Sequence, residues 1–148
     1  MIRKLAFAVF TGALAASTAA FAVDTTPTKG APDLSAVRSA IKAKEFKAAI
    51  TDLNGMIDAG VQHADVYNLL GFSLRKSGDQ KTALTYYRKA LDFDPGHKGA
   101  LEYQGELYVE MGEIAKARGN LAALVKLCPQ GCEEREDLEK ALAAAPTN

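Results

Sequence analysis

Apolar positions between residues 33 and 144 recur at the three- and four-residue spacings of amphipathic helices, and short turns, all but the first carrying Gly, Pro or His, separate seven such stretches. The pattern predicts helices over Asp33–Ala43, Glu45–Ala59, Ala64–Ser77, Gln80–Phe93, Lys98–Met111, Ile114–Leu127 and Glu133–Ala144. Leu34, Val37 and Ile41 make the stripe of the first helix, Tyr67, Leu70 and Leu74 that of the third, and Ala83, Tyr87 and Ala90 that of the fourth. The last helix differs. Leu138, Ala141 and Leu142 occupy one side and the charges of EEREDLEK the other, as expected of a terminal helix that covers a core and faces water. Its first turn is acidic and Lys140 comes near its end, matching the helix dipole, and Pro146 stops it.

Laid on Lys98–Gly131, the segment Ala64–His97 is identical at four positions: Gly71/Gly105, Gly78/Gly112, Ala83/Ala117 and Pro95/Pro129. Each position has a physical reason in a repeated helix–turn–helix. Gly71 and Gly105 fall mid-helix, where Gly costs about 1 kcal/mol against Ala, so a neighbouring helix is expected to approach closely there. Gly78 and Gly112 stand where the first helix must stop and reverse, a task for a residue at positive φ. Ala83 and Ala117 mark a crossing too tight for a larger side chain, and Pro95 and Pro129 end the second helix. The repeat length is 34 residues. With Tyr67, Leu70, Leu74, Tyr87 and Ala90 at their offsets, Ala64–His97 resembles the tetratricopeptide repeat family.

Lys98–Gly131 resembles it less closely, with Gln104 at a large apolar position and Leu124 at a small one. Gly30–His63 keeps the register through Ala49, Leu53 and Met56, but Val37 stands where the other units have Gly. The resemblance implies an all-α fold, an α-α superhelix of about three helix–turn–helix repeats (30–63, 64–97, 98–131) with a capping helix at 133–144. The implied activity is non-catalytic: a scaffold or adaptor that holds a protein or extended peptide in a concave groove lined by the first helix of each repeat. The groove positions are then Leu34, Arg38, Ile41 and Lys42, then Asp65, Asn68, Phe72, Arg75 and Lys76, then Gly99, Glu102, Glu106, Val109 and Glu110. Basic residues gather in the first two units and acidic ones in the third, which suggests a polarised channel, with Asn68 bonding a peptide backbone and Phe72 offering an apolar contact. The clamp form of the family does not fit, because Leu34, Leu69, Gly99 and Tyr103 stand where its Lys, Asn or Arg would be needed.

The N-terminal MIRKLAFAVFTGALAASTAAFA adds an address. Arg3 and Lys4 precede an apolar run and Ala20-Phe21-Ala22 gives an A-x-A cleavage site, so residues 1–22 read as a signal peptide for export to a bacterial periplasm. The 12 residues from Leu5 to Ala16 would rise only about 18 Å as a helix, short of the ~30 Å membrane core, so a stable span is not expected. Residues 23–32, with Pro27, Gly30 and Pro32, read as a flexible linker, leaving 33–146 as the repeat domain.

Composition narrows the chemistry. Eighteen Lys plus Arg balance 18 Asp plus Glu, which argues against a polybasic nucleic-acid binder. Two His and two Cys are thin material for a metal site or an acid/base enzyme, and no cofactor motif is present. His63 and His97, one repeat apart, are expected as solvated turn residues, not a shared metal site. Cys128 and Cys132 flank a Pro–Gly turn and suggest a disulfide pinning the capping helix. The alternative is a thiol redox protein or sensor, since Cys132 opens a helix whose dipole lowers a thiol pKa. Self-assembly through the uncapped N-terminal end is a further possibility.

Overall fold

The computed structural model describes residues 30–146, which form seven helices: α1 Ser35–Lys42, α2 Phe46–Asp58, α3 Ala64–Lys76, α4 Gln80–Phe93, α5 Lys98–Glu110, α6 Ile114–Leu127 and α7 Glu133–Ala143. Among the described residues there is no strand. The expected signal peptide, and the linker as far as residue 29, lie outside the described residues. Helix α1 begins two residues later than its apolar stripe suggested. Asp33 stays outside it and accepts a hydrogen bond from the Ser35 backbone N–H at 2.9 Å.

The helices stack as hairpins, α1 on α2, α3 on α4 and α5 on α6, with α2 against α3, α4 against α5, and α7 against both α5 and α6. Three turns repeat the same device. Gly78 and Gly112 close the α3–α4 and α5–α6 turns at φ of 93° and 75°. The equivalent residue of the α1–α2 turn is Lys44, which adopts φ of 61° without being Gly. A left-handed backbone costs an L-residue roughly 1–2 kcal/mol, so the first hairpin is built on a less suitable residue.

Gly71 and Gly105 prove to be contact sites with different partners. A Cβ on Gly71 would lie 2.8 Å from the Tyr87 ring of α4. One on Gly105 would lie 2.6 Å from a Leu138 methyl of α7. The second glycine is therefore the seat of the capping helix. Ala83 and Ala117 are fully buried, as are Tyr67, Tyr87, Leu107 and Leu124. Val37, at the missing glycine position, is fully buried in the cluster of Leu34, Leu53 and Leu70.

The two departures in Lys98–Gly131 are accommodated differently. Gln104 is buried, and Asn120 Nδ2 donates to its Oε1 at 3.0 Å and to the Leu101 carbonyl at 2.9 Å, so the polar substitution has its own partner across the α5–α6 interface. Leu124 joins Leu101 and Leu138 in a cluster that the capping helix completes.

Candidate functional site

Four helices contribute to one hollow of about 300 Å³. Arg38 of α1, Asp65, Asn68 and Leu69 of α3, Gly99, Glu102 and Tyr103 of α5, and Glu133, Glu134 and Asp137 of α7 line it, with His97 from the turn before α5. These come from the first helix of each hairpin and from the cap, one turn after another of the same face. Arg38 is exposed at the hollow, whereas Asn68 and Glu102 are buried.

Of the expected groove residues, Arg38, Asp65, Asn68, Gly99 and Glu102 meet in this hollow. Phe72 lies off to one side, half-buried, with its ring 4.9 Å from that of Tyr103 and 6.4 Å from that of Phe46. Exposed Lys76 places its Nζ 5.3 Å from the Phe72 ring centre. Lys42 is exposed at the end of α1. Leu34, expected on the groove, belongs instead to the buried core.

Arg75, Glu106 and Glu110 require a correction. Their charges do not form opposite ends of a channel, because they bond one another across α3 and α5. Arg75 Nη1 donates to Glu106 Oε2 at 2.7 Å, and its Nε and Nη2 donate to the Glu110 carboxylate, which also accepts from Gln80 Nε2 at 3.0 Å. Arg75 retains only 6% side-chain exposure. Burial works against its charge, but the hydrogen bonds to Glu110 and Glu106 outweigh it and hold the pKa above the usual value. The Arg75 hydrogen bonds in turn lower the Glu110 carboxyl below its ordinary range. The triad is a staple between two repeats.

The histidines also differ from expectation. They are N-caps, not solvated turn residues. His63 Nδ1 accepts from the Asp65 N–H at 3.2 Å, and His97 Nδ1 accepts from the Ala100 N–H at 3.0 Å. With Nδ1 accepting, the His97 proton resides on Nε2 and is donated to Asp65 Oδ1 at 2.8 Å, tying α5 to α3. Their separation by one repeat reflects the shared capping position.

Glu102 is the most perturbed carboxyl of the hollow. Burial first, then repulsion from Glu106, Asp137, Glu134 and Glu133, raises its pKa from 4.5 to about 8. The contribution of α7 escaped the sequence pattern, which placed its charges toward water. Only the seating of Leu138 over Gly105 turns Glu133, Glu134 and Asp137 toward α5.

Cys128, at the end of α6, and Cys132, the residue preceding α7, have their sulfurs at disulfide distance, 2.12 Å. Among the described residues no group of three or more His, Cys, Asp or Glu is arranged to hold a metal ion, and no helix is long and apolar enough to cross a membrane.

Stacked helical hairpins, a 34-residue period and a hollow on the first-helix face define a class, the all-α helical-repeat solenoids. Sequence comparison narrows it. Residues 64–97 and 100–131 each match the tetratricopeptide repeat, and the chain is a tetratricopeptide repeat protein. Among curated proteins, the chain is 33% identical over 66 residues to the uncharacterized protein ycf37 of Pyropia yezoensis, covering 45% of this chain and 36% of that protein. It is 42% identical over 55 residues to the probable biofilm formation methyltransferase WspC of Pseudomonas putida, covering 37% of this chain and 13% of that one. The chain thus spans about a third or less of the relatives it matches.

Proposed function

We propose that the protein is a non-catalytic scaffold that holds a partner protein or extended peptide against the face formed by α1, α3, α5 and α7, and that it does so in the bacterial periplasm. One observation carries the binding reading: four separate helices contribute side chains to a single hollow. A solenoid creates such a surface as a by-product of stacking, and extended chains fit it because each hairpin adds one more set of contacts. Phe72 and Lys76 beside the hollow add an apolar and a charged contact. The periplasmic location rests on the n-region, apolar run and A-x-A site of residues 1–22.

The test is photocrosslinking in intact cells with a photoreactive residue at Lys76, on the proposed face, and at Arg88, exposed on α4. A discrete crosslinked species at 76, absent at 88 and lost in Phe72→Ala protein of native circular dichroism, is the expected result. Equal crosslinking at both positions, or none at 76, overturns the reading. Mass spectrometry of the mature N-terminus checks export: a protein beginning at Val23 is expected.

A further inference from the structure

We propose that the hollow between α3, α5 and α7 receives a basic side chain, lysine or arginine, presented by the bound partner. The inference rests on the scaffold reading above and names the chemistry of its central contact.

Two independent observations carry it. The first is charge. The carboxylates of Asp65, Glu133, Glu134 and Asp137 line the hollow around the buried Glu102, and Asp65 already accepts from His97 Nε2 at 2.8 Å. Against them stand Arg38 in the hollow, Lys98 with its Nζ 4.0 Å from Glu134, and Lys140 with its Nζ 2.8 Å from Asp137. Lys98 and Lys140 form exposed pairs whose attraction water screens, so the α7 carboxylates keep much of their field over the hollow. Glu106 stands nearby but already has Arg75 as its partner.

The second observation is Asn68. It is 5% exposed, it lines the hollow, and its Oδ1 has no hydrogen-bond partner among the described residues. An orphaned buried carbonyl costs about 1–3 kcal/mol, and buried polar atoms rarely go unpaired without a function. An acceptor in need of a donor beside a ring of carboxylates specifies a ligand that brings both N–H donors and positive charge. Ammonium and guanidinium groups do both. A partner carboxylate or phosphate meets repulsion, and an apolar side chain leaves Asn68 unsatisfied. The carboxylates are also too dispersed to close on a metal ion. The crowding that raises the Glu102 pKa reports the same negative field, which a bound cation would relieve.

The full-length mature protein, labelled with ¹⁵N, is titrated with four acetylated and amidated nonapeptides of alternating Ala and Ser. They differ only at the central residue, which is Lys, Arg, norleucine or Glu. The Lys and Arg peptides are expected to shift the amides of Asn68, Gly99 and Glu102 and to bind at least tenfold more tightly than the norleucine and Glu peptides. That preference is expected to shrink as salt rises from 20 to 500 mM, an on-the-order-of change set by screening. Glu134→Gln with Asp137→Asn should abolish it, while Glu136→Gln, exposed on α7, should keep it. Four outcomes overturn the inference: equal binding of the Lys and norleucine peptides, unchanged preference in the double variant, the same shifts from calcium chloride at matched ionic strength, or no shift with any peptide. None of these bears on the crosslink at Lys76, so the scaffold reading stands or falls separately.

Discussion

Single residues show how a repeat tolerates departures from its own pattern. Lys44, Gly78 and Gly112 occupy one repeat position, and all three take positive φ. Only Lys44 has a Cβ to strain there. Lys44→Gly is therefore expected to stabilise the protein by about 0.5–1 kcal/mol, the relief of the left-handed conformation less the added freedom of the unfolded chain. Urea unfolding checks it, and a lower midpoint would mean that the lysine side chain contributes more than its backbone strain costs. Gln104 shows the opposite strategy. A polar residue entered an apolar position, and Asn120 supplies the hydrogen bond that keeps it satisfied. In the sequence Gln104 reads as an isolated departure, but in space it forms one pair with Asn120.

At the scale of elements, the capping helix is the best-anchored departure from simple repetition. Leu138 fills the space that Gly105 leaves, and Leu101 and Leu124 complete its socket. The Cys128–Cys132 bridge closes a loop of five residues at its start, and by chain entropy such a loop contributes about 2 kcal/mol. The Cys128→Ser, Cys132→Ser protein should lose about that much in denaturant unfolding while keeping its helical circular dichroism. An unchanged midpoint would show that Leu138 holds the helix unaided. The Arg75–Glu106–Glu110 staple works between α3 and α5 in the same manner, by cross-linking neighbouring repeats instead of recruiting a ligand.

Across the whole molecule, the hollow leaves a titration signature. The Glu102 carboxyl has its pKa raised to about 8 by burial and by the carboxylates of α5 and α7. The folded protein therefore keeps a proton that the unfolded chain gives up near the ordinary value of 4.5. Its contribution to stability falls as pH rises from about 4.5 through about 8, and the penalty is complete above that range. Glu102→Gln removes the titration. Thermal melts should give nearly the same midpoint for both proteins at pH 5 and a midpoint a few degrees higher for the variant at pH 9. Parallel curves would place Glu102 outside the negative field.

The 34-residue spacing, the glycine turns and the apolar stripes were enough to place the seven helices of the described residues within two residues of their observed ends, because each of those features is local: a period, a turn conformation, a stripe along one rod. Local features also identified Gly71, Gly105, Ala83 and Ala117 as places of close approach, but not what approaches. Tertiary structure alone decided that Gly105 faces Leu138, that Arg75 reaches Glu106 and Glu110 a repeat away, that His97 reaches back to Asp65, and that the charges of α7 turn partly inward. Each of those pairings joins residues distant in the chain. Their distance is set by how the hairpins stack, and stacking depends on the summed fit of many side chains, none of which carries that information by itself.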